Sequence, residues 1–199
     1  MGLREINATR TRQLLADTAL TLFTEHGYDE TTMEDVAHAA DVGISTLYRY
    51  FPTKEQLGTA FLGEPDLMAK ALDERPADED PDVALGHAVR AFLADADRTG
   101  ETSRRVDELL DRNGRLRARL LEWLAETHEA LSASLASRRG VPPDDVGAGA
   151  SAWMTIYVLL RLRTTSDDDP RSATEIADDV MHALAAEPVR TPLPSDASS

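Results

Sequence analysis

Apolar residues recur along this chain every three or four positions, and no segment alternates strictly, so helices are predicted throughout. Leu14, Leu15, Ala19, Leu22 and Phe23 share one face of a first helix over 9–26, and Gly27 suits the left-handed residue that ends it. Met33, Val36, Ala37 and Ala40 form a shorter second face. Thr31 with Glu34, or Thr32 with Asp35, has the reciprocal capping spacing, so one of these threonines is the N-cap. Asp41-Val42-Gly43 turns the chain into a third helix over 44–50. Phe51-Pro52 closes it, because proline disfavours helical geometry in the residue before it. Thr53 caps a fourth helix through Leu57 and Phe61. Gly63-Glu64-Pro65 either kinks that helix or ends it, with the apolar phase resuming at Met68 and Leu72.

Four more helices are predicted at about 82–98, 101–112, 114–139 and 143–164, punctuated by Gly100, Gly114 and Gly140-Val141-Pro142. Pro142-Pro143-Asp144-Asp145 is expected to open the fourth of these, where acidic side chains suit the helix dipole. A last helix runs over about 172–186, and the proline- and serine-rich tail at 188–199 is expected to be disordered. The fold class is all-α, with about nine helices. A three-helix unit at 1–62 precedes a helical bundle at 63–187.

Composition narrows the chemistry. The 199 residues are 42% hydrophobic, enough for a core, and contain no cysteine, which removes disulfides, thiolate metal sites and cysteine catalysis. The N-terminus lacks the apolar stretch of a signal peptide, and the longest apolar run, 152–160, is about half a membrane span. A soluble, cytoplasmic protein is expected. The five histidines are scattered. Glu34 and His38 are four apart but belong to no HExxH pattern, and neither a nucleophile elbow nor a phosphate-binding glycine loop is present. No catalytic residue, metal or cofactor is predicted.

The formal net charge is -15, of which residues 1–62 carry -4 and the remainder -11. Two acidic segments, 73–82 and 166–170, read as solvated connectors. Asp41–Lys54 holds two cations, Arg49 and Lys54, against Asp41 alone, so it is locally basic. That matters because two short helices joined by a tight turn, here over about 32–51, are the geometry of a helix-turn-helix. Its second helix lies in the DNA major groove. Small Ala37 allows the helices to cross closely, and Val36, Ala40, Val42 and Leu47 can fix their angle.

Over residues 9–62 the chain resembles the N-terminal domain of the TetR family of transcriptional regulators. The resemblance rests on the helix ending in Phe23 and Gly27-Tyr28, then Thr31-Thr32, Val36-Ala37, Thr46-Leu47-Tyr48 with Phe51, and Lys54. It implies a homodimer that binds double-stranded DNA at a palindromic operator, with a C-terminal body that binds a small-molecule effector. Thr32 would contact phosphate. Gly43, Ile44, Ser45 and Thr46 would approach base edges, Tyr48, Arg49 and Tyr50 phosphate or bases, and Lys54 a phosphate. Tyr48 either serves DNA or packs the core, whereas Tyr50 is expected to be exposed. Arg10 and Arg12 form either a DNA-reaching arm or a solvated start.

Two positions depart from the family pattern. Asp41 stands where glycine is usual, and apolar Ile44 stands where a polar or basic residue is common. Ile44 can meet a thymine methyl but cannot hydrogen-bond a base. In the body, Met68, Phe92, Leu120, Trp123 and Leu124 are candidates to line an effector pocket. Ala150, Trp153, Tyr157 and Leu160 form a stripe assigned to the dimer interface, its rival being ordinary monomer core. The expected function is a ligand-responsive repressor; the rival is a helical dimerisation scaffold that binds no DNA.

Overall fold

The computed structural model describes residues 2–96, 100–163, 169 and 171–186, without the side chains of 3–5, 95–96, 100–104 and 163. The expected disordered tail lies outside these residues, as does nearly all of the acidic segment at 166–170. Among the described residues there are ten α-helices and no strand. The helices are α1 (Leu3–His26), α2 (Met33–Ala39), α3 (Ile44–Tyr50), α4 (Lys54–Gly58), α5 (Leu67–Asp73), α6 (Pro81–Ala96), α7 (Gly100–Arg112), α8 (Gly114–Arg139), α9 (Val146–Arg163) and α10 (Ala173–Ala186).

Three boundaries differ from the sequence expectation, each for a local reason. Helix α1 begins well before residue 9, because nothing between Leu3 and Thr9 breaks a helix even though no apolar stripe marks one. Helix α9 starts at Val146 rather than at the prolines, since Asp145 caps it: its Oδ1 accepts from the Ala148 amide at 2.8 Å. The fourth expected helix is two, which raises the count from nine to ten. After α4 a 3₁₀ turn, Ala60–Leu62, leads to Gly63 at φ 74° and ψ -174°. That conformation is open essentially to glycine alone, so the helix ends there rather than bending.

The cores grow out of the predicted faces. Leu15, Ala19, Phe23, Val36, Leu47, Phe51 and Leu57 are buried together, and the same cluster continues into Leu109, Leu110, Leu116, Leu120 and Trp123 of α7 and α8. Leu14, expected on the buried face of α1, is instead 47% exposed. A second cluster joins Met68 and Leu72 of α5 to Ala84, Ala88, Leu131, Leu135 and Ala152, and a third sets α10 against α6 and α9 through Val89, Leu93, Val158 and Ala177. Truncating a wholly buried leucine such as Leu116 or Leu131 would cost about 2–5 kcal/mol.

Close contact between head and body depends on one missing side chain. A Cβ on Gly58 would come within 2.7 Å of Leu116 Cδ2 and 3.0 Å of Tyr28 Cε2, so glycine lets α4 lie directly on α8.

The acidic segment 73–82 is mostly exposed, as expected of a solvated connector, but it is also tied to α8. Arg138, near the end of α8, donates to the carbonyls of Leu72, Arg75, Pro76 and Glu79. Arg75 and Glu79 pair through two bonds of 2.7 and 2.8 Å, and Arg139 binds Asp82 at 2.7 Å. Arg138 thus ties the last turn of α5 and the segment after it to α8.

Candidate nucleic-acid interface

The two threonines before α2 divide the labour that the sequence left open between them. Thr32 is the N-cap: its Oγ1 accepts from the Asp35 amide at 3.1 Å, and Asp35 Oδ2 accepts from the Thr32 amide at 2.8 Å. The Thr32 hydroxyl also donates to Asp35 Oδ2 at 2.7 Å, and this bond is the main reason the Asp35 carboxyl lies below the ordinary carboxylate range. Thr31 is buried and donates to the carbonyls of Gly27 and Leu22, tying α2 to the end of α1.

Helix α2 ends in a Schellman turn. The Val42 amide donates to Ala37 O at 3.0 Å and the Asp41 amide to His38 O at 3.1 Å. Such a turn requires a left-handed residue just past the helix, and Asp41 occupies that place at φ 54°. It is the one non-glycine with positive φ among the described residues. Val42 and Ala37 join the same apolar cluster, which fixes the angle at which α3 departs.

On α3 the buried anchors and the exposed face are distinct. Leu47 is fully buried and Phe51 nearly so, while Gly43, Ile44, Ser45, Tyr48 and Arg49 face outward and Thr46 is half-buried. Ile44 and Tyr48 expose 37% and 44% of their surface, so Tyr48 lies on the outer face and not in the core. Tyr50 is the corrected residue: it is half-buried against the head core, with the Arg49 guanidinium 5.3 Å from its ring centre.

Lys54 opens α4 beside the loop that follows α1. Its Nζ lies 4.4 Å from the Tyr28 ring centre and donates to the Asp29 carbonyl at 3.4 Å. Burial, only partly offset by Asp29 and Glu55, lowers its pKa from the ordinary lysine value. The cation is therefore held in place and incompletely hydrated. Burial likewise raises the pKa of the Tyr28 phenol well above the usual tyrosine value.

Arg10 and Arg12 belong to the body of α1 and form no arm. Arg10 is exposed, but Arg12 reaches inward. Its guanidinium lies 4.5 Å from the Phe51 ring centre, Nη1 donates to the Tyr50 carbonyl at 3.4 Å, and Nη2 meets Glu64 Oε1 at 2.5 Å. The sequence carried no signal for this contact, because Glu64 is far along the chain and periodicity says nothing of such pairs.

Four of the five candidate pocket residues lie in or against one apolar cluster, and Phe92 also packs against the cluster that holds Met68. Met68 is buried beneath α6 and α8, Leu120 and Trp123 belong to the head-facing cluster, and Phe92 and Leu124 pack half-buried beside them. Trp123 borders a cleft of about 140 Å³ shared with Arg12, Gln56 and Glu64. A second cleft, of about 340 Å³, lies between the end of α1 and α7 and includes none of the five. The Trp123 Nε1–H donates to the Gly63 carbonyl at 3.0 Å.

The four interface candidates do share a face. Ala150, Trp153, Tyr157 and Leu160 are exposed along α9, Trp153 by 52%. Val146 extends the stripe, and His128 of α8 stacks on Trp153 with ring centres 4.6 Å apart. None of these four is monomer core. No described helix is long and apolar enough to cross a membrane.

Comparison with known proteins converges on this head. Residues 15–60 match the model of the bacterial regulatory proteins of the tetR family. The chain is 36% identical over 153 residues to the HTH-type transcriptional regulator TcmR of Streptomyces glaucescens, covering 72% of this chain and 67% of that protein. It is 32% identical over 120 residues to the HTH-type transcriptional repressor KstR of Rhodococcus jostii, covering 51% and 56%. Among solved structures, the fatty acid degradation regulator FadR of Bacillus halodurans shares the fold at a TM-score of 0.60 with 21% identity, over 92% of this chain and 97% of that one.

Proposed function

Since the chain belongs to the TetR family of transcriptional regulators, we propose that α3 is its recognition helix and that the protein is a dimeric repressor. It would bind a palindromic operator in the cytoplasm and be released by a small-molecule effector. The observation that carries this reading is the outer face of α3, where Ile44, Ser45, Tyr48 and Arg49 project from a helix pinned by Leu47, Phe51 and the turn at Asp41. A rigid element with its side chains projecting outward is what major-groove reading requires.

In this mechanism Gly43, Ile44, Ser45 and Thr46 lie along base edges, with Ile44 against a thymine methyl. Tyr48 and Arg49 flank them. Thr32 and Lys54 hold phosphates on either side and set the register without reading sequence. Half-buried Tyr50 serves mainly by supporting α3. The exposed stripe of α9 meets its counterpart in a second copy, placing two recognition helices about 34 Å apart on successive major grooves. An effector bound in the body shifts α4 and changes that separation, in proportion to its differential affinity for the two arrangements.

Selection from random duplexes, followed by binding across a salt series, tests the reading. An inverted repeat should emerge, and log affinity should fall with log salt by about 0.9 for each phosphate neutralised. Recovery of no enriched sequence would favour the scaffold.

A further inference from the structure

We propose that Arg12 is a positioning residue for DNA recognition, fastening the end of the recognition helix to the joint between head and body. The proposal rests on the DNA-binding reading above. Arg12 belongs to α1, yet its contacts lie on two other elements: the Phe51 ring and the Tyr50 carbonyl at the end of α3, and the Glu64 carboxylate just after Gly63. The Tyr50 carbonyl is among those a helix end leaves unpaired, so a guanidinium there both satisfies it and complements the dipole.

Glu64 sits next to the residue that the body grips from the other side. Gly63, held at φ 74°, accepts the Trp123 indole N–H through its carbonyl. Two adjacent joint residues are thus held by α1 and by α8, and any shift of α8 against the head must pull on Glu64. Arg12 passes that pull to Tyr50 and Phe51.

The surroundings leave room for a second arrangement. A cleft of about 140 Å³ lies along the joint, bordered by Arg12, Gln56, Glu64 and Trp123. Gln56 Oε1 and Asp66 Oδ1, flanking the same segment, are buried without a hydrogen-bond partner. A tightly packed joint with every polar atom satisfied would resist displacement more than this one.

The test uses the full chain, the operator duplex recovered by selection, and a scrambled duplex of equal length. Arg12→Ala and Glu64→Gln should each lower the operator-to-scrambled affinity ratio about fivefold, and the double variant no further than either alone. Taking the ratio cancels the general gain in DNA attraction from losing the Glu64 charge. Arg12→Lys, which keeps the charge but not the forked geometry, should fall between Arg12→Ala and the parent protein. Hydrogen exchange without DNA supplies an independent arm: Glu64→Gln should loosen the Phe51 amide, bonded to Leu47 O at 2.8 Å, along with the Gly63 and Leu67 amides.

A ratio changed by less than about twofold in Glu64→Gln, or additive effects in the double variant, would overturn the proposal. So would faster exchange confined to Gly63 and Leu67. If selection recovers no operator, the DNA-binding reading fails separately, and exchange at Phe51 decides the linkage alone.

Discussion

Asp41 carries two costs in one side chain: a left-handed backbone that glycine adopts more readily, and a negative charge beside the helix offered to DNA. Asp41→Gly should relieve the first, raising unfolding stability by about 1 kcal/mol in urea titration, less what glycine adds to the freedom of the unfolded chain. Affinity for any duplex should rise as the charge disappears. Lys54 argues the opposite case, a cation kept against Tyr28 and Asp29 at the expense of its hydration. Lys54→Ala should weaken binding to operator and scrambled duplexes alike, and reduce the salt slope by about 0.9 per head. A loss restricted to the operator would assign Lys54 to base reading instead. At this scale the sequence was partly legible. The requirement for positive φ at Asp41 follows from turn chemistry, and the burial of Leu47 follows from periodicity. Tyr50 and Leu14 were misplaced because a helical face tells which residues are neighbours, not how far the core extends around the helix.

Caps decided where several helices of this protein begin, and two were visible in the sequence. Thr32 with Asp35 and Thr53 before α4 have the right residues at the right spacing. The start of α9 was misread because prolines also mark helix entries, and the start of α1 because a polar helical turn has no stripe to announce it. The cap of α2 has an acid signature. The folded Asp35 carboxyl titrates below its ordinary value of 3.8, so its contribution is complete above that pH and is lost as pH falls through the lower folded value. Melting temperature measured from pH 6 down to pH 2 should therefore drop more steeply for the parent protein than for Asp35→Asn, with this variant less stable at neutral pH and the gap closing in acid. A constant gap would remove Asp35 from the cap's energetics.

At the scale of the molecule, the helical architecture followed from periodicity, but the packing of the body did not: of the five candidate pocket residues, Leu120, Trp123, Phe92 and Leu124 lie in or against one cluster, and Phe92 also packs against the cluster that holds Met68. The α9 stripe is the clearer case, because apolar residues at helical spacing that remain exposed need a partner. Trp153→Asp with Tyr157→Asp should convert a dimer to a monomer in sedimentation equilibrium and abolish tight operator binding, while circular dichroism stays helical. A dimer that survives both changes would place the interface elsewhere. The Arg138 clamp has a further consequence. It pins the acidic segment near the far end of α8, about 33 Å along the helix from Leu116, where the head packs. With Asp73, Glu74, Asp78, Glu79, Asp80 and Asp82 against Arg75 on that segment, this end of the axis carries a concentration of negative charge. A polyanion approached in dilute salt exerts a torque on such a body, swinging its acidic end away and turning the end that carries the head toward it. The net charge that slows the encounter also orients it, and both effects fade together as the screening length shrinks to about 8 Å at physiological salt.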